Sequence, residues 1–309
     1  MPDRAGRCAG VSAFLHPMLT LELLINGMLL GGLYACVAVS FSLIWGVMNL
    51  INLAHGTMIA LGAYVSFMLF RTFGLDPFLS IPVAAVTLFL LGYALQRFVI
   101  NLVVKGSVFM TLILTFGFNL LLVNALLAIF TADTRALTPS YAGLGVAFGD
   151  IRISYVRLGV FAFALALTIL LNLFLGHTRM GRAIKATSFD QEAAQLVGVR
   201  IRDIFSLTFA IGAALAGASG PLLGMLHSFS PVVGGTLTMK AFVVVVLGGL
   251  GSVPGAVLGG LTLGVVEHLS TLVLGSGYQD AISFLGLLVI LILRPTGFLG
   301  KKFYAELKA

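Results

Sequence analysis

Three polar side chains in the longest run of the sequence without Asp, Glu, Lys or Arg, namely Asn49, Asn52 and His55, are the first candidates for chemistry. An amide or imidazole surrounded by aliphatic residues needs a partner or a task. Asn52 and His55, three residues apart, would share one helix face, where they can hydrogen-bond between helices or line a pathway. Asn119 and Asn124 pose the same choice, and Trp45 and Tyr64 fit either interfacial anchors or packing. Glu22 stands near the start of an apolar stretch, where the helix dipole favours a carboxylate, and Glu267 and His268 are expected at the end of one. None of these residues assembles an enzyme centre. The sequence has no Ser/His/Asp or Cys/His grouping, no HExxH and no carboxylates paired within one helical turn of a span. Cys8 and Cys36 are too few and too differently placed for a disulfide framework or a metal cluster, so no metal site is expected. The phosphate loop GxxxxGK[ST] is also absent, so any ATP that powers this chain must be held by a partner.

One short segment carries most of the charge. Residues 178–204 hold Arg179, Arg182, Lys185, Arg200 and Arg202 beside Asp190, Glu192 and Asp203. Within it Asp190 can cap a helix that starts at Gln191, and Gly198 can end that helix in a left-handed conformation. By the positive-inside rule this segment is a cytoplasmic loop, and Arg294, Lys301, Lys302 and Lys308 mark a cytoplasmic tail. Counting five spans back from the loop puts the N-terminus outside, whereas Arg4 and Arg7 argue for inside, so its side stays open.

These residues are positioned by membrane helices. The 309 residues are 59% hydrophobic and 9% charged, against about 25% charged in a soluble domain. Residues 23–70, 77–96, 106–132, 158–178, 204–239 and 241–266 contain no Asp, Glu, Lys or Arg. At about 20 apolar residues per crossing, they make room for about eight or nine spans. Unbroken runs of this length lack the alternation of barrel strands, so the fold class is all-α, a polytopic transmembrane helical bundle in one domain, 1–309. The net charge of +7 is spread among the spans and does not indicate nucleic acid. Spans are expected near 21–45, 50–70, 77–100, 108–130, 157–177, 205–227 and 280–299, with a long loop over 131–156. The glycine-rich 241–266 should split into two pieces at Val253-Pro254-Gly255, since proline breaks the hydrogen-bond ladder.

Small residues recur every fourth position at Gly27, Gly31 and Ala35, at Gly212, Ala216, Gly220 and Gly224, and at Gly251, Gly255 and Gly259. Such stripes let helices approach closely in lipid, as packing seams or as substrate contacts. The pattern near the two ends of the chain is faintly alike, as an inverted repeat would be.

Several motifs together resemble one family. Glu192-Ala193-Ala194 followed by Gly198 resembles the EAA motif of ATP-binding-cassette importer permeases. The runs Asn26-Gly27-Met28-Leu29-Leu30-Gly31-Gly32 and Asn49-Leu50-Ile51-Asn52-Leu53-Ala54-His55-Gly56, the later Met239-Lys240-Ala241-Phe242 through Gly255, and Arg294-Pro295-Thr296-Gly297 are similar to the branched-chain amino-acid permease family. The likeness covers about 21–300. It implies the smaller permease of a high-affinity leucine/isoleucine/valine-type importer in the bacterial inner membrane. It further implies partnership with a second permease, two ATPases that hold ATP and Mg, and a periplasmic or extracellular binding protein. In that family the helix of the cytoplasmic loop docks on the ATPase, which makes Arg182, Asp190, Glu192, Ala193, Ala194 and Gly198 the coupling residues. A permease for urea, short amides or a sugar would look much the same. An ion-coupled transporter is disfavoured by the scarcity of carboxylates in the spans, and a membrane scaffold by the interrupted glycine helices.

Overall fold

The computed structural model describes residues 17–103, 108–148, 151–294 and 296–300. Arg4, Arg7, Cys8, Lys301, Lys302 and Lys308 lie outside them. Eight helices of the described chain are long and apolar enough to cross a membrane, and a ninth, shorter apolar helix follows.

Helix α1 (Pro17–Met48) is followed by a turn and α2 (His55–Phe73), which Gly74 ends at φ +65°. Helix α3 (Pro77–Leu95) continues through a π-helical turn (Gln96–Ile100) and a last turn (Asn101–Val103). Then come α4 (Val108–Phe130), the hairpin β1 (Gly145–Phe148) and β2 (Ile151–Ser154), and α5 (Tyr155–His177). The basic segment forms α6 (Arg179–Phe189) and α7 (Gln191–Leu196), and α8 (Ile201–Leu226) leads back through the bundle. After a 3₁₀ turn (Pro231–Val233) come α9 (Gly234–Gly248), α10 (Val253–Leu274) and α11 (Gln279–Leu293). The expected break in the glycine-rich stretch falls at 249–252, so Pro254 sits in the first turn of α10, where its missing amide hydrogen costs nothing. Residues 297–300 then return to α9: the amides of Phe298 and Leu299 donate to the carbonyls of Leu247 and Gly248, satisfying acceptors that the helix end leaves open.

Glycine decides which helices meet. A Cβ on Gly31 would lie 2.7 Å from Leu261 Cα, and one on Gly264 would lie 2.4 Å from Gly27 O, so α1 and α10 touch backbone to backbone. Helix α8 meets α2 in the same way at Gly220, α3 through Gly217 and α1 through Gly212. Gly224 faces Leu137 and Phe229 instead. Gly255 and Gly259 seat α10 on the end of α9, but Gly251 is not in that stripe: it lies in the loop before α10 at φ +76°, against Gly46. Four-residue spacing alone does not show where a helix begins.

The two halves of the bundle correspond. Helix α1 packs on α10 as α8 packs on α3, and the short helices α2 and α9 meet at their first turns, where Gly56 faces Gly234 and Thr238. Val47 at the end of α1 and Asp203 at the start of α8 both lie at the basic end, so corresponding helices run in opposite directions. This is an inverted repeat relating α1–α3 to α8–α10. Because α1 runs towards the basic end, Pro17 lies at the opposite one.

At that opposite end Asp76 does two things. Its Oδ1 accepts the Phe78 amide at 2.8 Å, capping α3, and its Oδ2 accepts the Tyr141 hydroxyl at 2.7 Å, tethering the 131–154 loop. Burial and the adjacent Asp76 carboxylate both raise the Tyr141 pKa. A phenol that keeps its proton in the fold but ionises near pH 10 when unfolded contributes fully below about pH 10. That contribution is lost as the pH rises from there through the folded value. Tyr141→Phe should therefore lower stability by about 1.5 kcal/mol at neutral pH, the worth of a hydrogen bond to a charged group. Thermal unfolding in detergent checks this, and the difference from wild type should shrink above about pH 10.

Candidate functional site: a basic-end surface and two polar sites within the bundle

Thr178 caps α6 by accepting the Gly181 amide at 2.9 Å, and Gly181 then sits against the Phe174 carbonyl where a side chain would not fit. Ile184 and Thr187 face inward and hold α6 on the bundle. The chain breaks at Asp190, whose Oδ1 accepts the Ala193 amide at 2.9 Å, and α7 begins. Gly198, at φ +88°, ends it, with its amide on Gln195 O at 3.0 Å. Ala194 is buried, Glu192 and Ala193 are exposed, and Leu196 and Val197 are 89% and 80% exposed. Arg182 lies two turns before Asp190, about 12 Å along α6, and is exposed. Beside α7 a groove of about 930 Å³ runs between Met48, Arg97, Asn101 and the start of α8.

Gln191 ties this surface to the spans. Gln191 Nε2 donates to the Val47 carbonyl at 3.2 Å, so the first residue of α7 holds the last turn of α1. Arg97 and Asp203 pair nearby at 2.5 Å, but both are well exposed and the pair adds little stability.

The first polar site within the bundle surrounds the start of α2. His55 is fully buried, its Nε2 3.1 Å from Ser40 Oγ and 3.3 Å from the Val37 carbonyl, and its ring is perpendicular to that of Phe41. Asn52 is buried too, but in the turn before α2, where its Oδ1 accepts the Ala54 amide at 3.1 Å. The expected common helix face of Asn52 and His55 is therefore absent, because the helix starts only at His55. Asn49 is exposed and takes φ +51° just beyond the end of α1, a conformation that asparagine tolerates well. Thr57 donates to Asn119 at 2.5 Å, and Thr238 Oγ1 accepts the Gly56 amide at 2.8 Å, so α2, α4 and α9 are joined here. Asn124 donates to the Leu120 carbonyl of its own helix, and Tyr64 is a packing residue stacked on Phe130.

The second site was not legible from local sequence. Glu267 does not lie at a span's end: it is inside α10, fully buried. It accepts the Tyr34 hydroxyl at 2.7 Å and the Ser283 hydroxyl, and pairs with Lys240 Nζ at 3.1 Å. Lys240 Nζ also lies 2.9 Å from Asp280 Oδ1, donates to Tyr34 Oη at 3.2 Å and stands 5.2 Å from the centre of that ring. Four helices, α1, α9, α10 and α11, thus converge on one ammonium. A signal existed: Lys240 and Glu267 are the only Asp, Glu, Lys or Arg residues within 204–279, and their charges are opposite. Among the described residues no group of three or more His, Cys, Asp and Glu could hold a metal ion.

Residues 23–293 match a family described as "Branched-chain amino acid transport system / permease component". The chain is 35% identical over 295 residues to the high-affinity branched-chain amino acid transport system permease protein BraD of Pseudomonas aeruginosa, covering 91% of this chain and 96% of that one. It is 34% identical over 298 residues to the corresponding protein LivH of Escherichia coli (strain K12), covering 91% and 96%. Among solved structures, a chain of PsaBC from Streptococcus pneumoniae in complex with Fab is similar in fold, with TM-score 0.52 and 14% identity over 97% of this chain and 100% of that chain.

Proposed function

The chain belongs to the permease-component family of branched-chain amino acid transport systems, and from that premise we propose that it is the permease of an ATP-binding-cassette importer for branched-chain or related hydrophobic amino acids. It works in the bacterial inner membrane with a second related permease, two ATPase subunits that hold ATP and Mg, and a periplasmic or extracellular binding protein. The observation that carries the coupling role is α7. A six-residue helix at the basic end presents Glu192 and Ala193 outward beside exposed Leu196 and Val197, while Gln191 grips the end of α1. Apolar side chains this exposed outside the lipid need a partner surface, and burying each would contribute about 2 kcal/mol. Closure of the ATPases then moves α7, Gln191 passes the motion to α1, and the glycine seam carries it to α10.

Two substitutions and one cross-link test this. Gly198→Val forces a β-branched residue to φ +88°, and Glu192→Lys reverses the outward charge. Each should leave membrane insertion intact while lowering ATP-driven uptake about tenfold or more relative to ATP hydrolysis. Ala193→Cys should cross-link to an ATPase subunit. Normal transport by both variants, with no ATPase captured at position 193, would remove the coupling assignment.

A further inference from the structure

Lys240, Asp280 and the apolar space beside Lys240 have no task in the coupling scheme. An ammonium has three N–H donors, and those of Lys240 face Glu267, Asp280 and Tyr34. Glu267 is fully buried and also holds two hydroxyl donors, so it is the fixed counter-charge. Asp280 is a second carboxylate on a lysine already neutralised, and its side chain is 56% exposed while that of Lys240 is 14% exposed. An ionised carboxylate does not face hydrocarbon, so its open side meets water or a polar group. A surplus, half-exposed carboxylate can exchange partners.

The same lysine borders a cavity between α1, α8 and α9, walled by Leu33, Val37, Leu223, Leu237, Ala241 and Val244. In this conformation the cavity has room for about 10 Å³, roughly one water molecule. Helix α9 has glycines at both ends, Gly234-Gly235 and Gly248-Gly249, the last at φ +105°, so a short rigid piece between permissive joints forms one wall.

We propose that this is a substrate site for a zwitterionic amino acid: Asp280 takes the ammonium, the Lys240 N–H released from Asp280 takes the carboxylate, and the aliphatic side chain enters the cavity as α9 draws away from α1. The site rests on the amino-acid reading given above. The ligand is neutral overall, so binding leaves the local charge unchanged. Because it replaces an existing ion pair, binding is weak, as passage through a conduit requires.

Photo-leucine, with a diazirine in its aliphatic side chain, tests the assignment on the complex purified with its companion subunits and reconstituted with binding protein and ATP. Label should appear on α1 over 33–37 or on α9 over 237–244, and excess L-leucine should suppress it. Isopentylamine, which lacks the carboxylate, and 4-methylpentanoate, which lacks the ammonium, should not. Asp280→Asn should lower leucine uptake and labelling about tenfold or more, the loss of a charged hydrogen bond. Labelling confined to other helices, or unchanged uptake by Asp280→Asn, would overturn the site. ATP-driven leucine uptake without label in the cavity would overturn it and leave the importer reading standing. Absence of such uptake in the wild type would remove the substrate reading and this site together. Should Asp280→Asn fail to accumulate, the position of the wild-type label decides.

Discussion

Gly220→Leu is expected to prevent the bundle from assembling. A Cβ at position 220 would lie 2.3 Å from Ala63 N and 2.5 Å from both Gly62 C and Ile59 O, all backbone atoms of α2 that cannot rotate away. Helix α8 would have to separate from α2 along its length, and α8 also carries the contacts to α1 and α3. Overpacking of a rigid core costs about 1–3 kcal/mol even where side chains can move. Here only whole helices can, so the loss should reach a large part of the roughly 5–15 kcal/mol that holds a domain together. Gly117→Leu is the control, because nothing lies within 4 Å of a Cβ there and α4 shows that face to its surroundings. Recovery of folded chain by size-exclusion chromatography from detergent extracts should fall nearly to nothing for Gly220→Leu and stay near wild type for Gly117→Leu. Equal recovery would mean that the α2–α8 seam is not as tight as described.

The second large effect is expected at the buried ion pair. Lys240→Met leaves the Glu267 carboxylate with two hydroxyls and no counter-charge, and breaking a buried pair from one side costs about 3–5 kcal/mol. Lys240→Met combined with Glu267→Gln removes both charges and should recover most of that loss, since a neutral amide can still accept from Tyr34 and Ser283. Asp280→Asn by contrast breaks a half-exposed pair worth about 1 kcal/mol or less. Thermal unfolding of the two single variants and the double variant forms a cycle. A coupling near zero between positions 240 and 267 would show that the two charges do not depend on each other.

The readings that held from residues alone share a local cause. Asp190 caps α7 and Gly198 ends it because a side-chain oxygen and a left-handed turn act within a few residues of where they stand. The second half of the basic segment is legible as a helix, whereas α6 is hidden by its polar composition: the helical spacing of its few apolar residues acquires meaning only when Ile184 and Thr187 dock on the spans. The site near His55 was half legible. Its polar residues stood out, but the turn at 49–54 that interrupts the helix and puts Asn52 on a different footing was not visible. Glycine stripes show which faces pack, though not on which helix, and Gly260 and Gly264, which face Ala35, Gly27 and Gly31, lie outside those stripes.

The amino-acid sequence by itself determined the crossings, their approximate ends and the basic end of the bundle, because hydrocarbon excludes charge and requires each backbone to satisfy its own hydrogen bonds. Tertiary structure alone decided that Lys240 meets Glu267, Asp280 and Tyr34, and that α1 and α8 exchange roles in an inverted pair. Those outcomes depend on how separate helices dock and at what depth, and docking depends on the shapes of both surfaces at once, which no single stretch of chain contains.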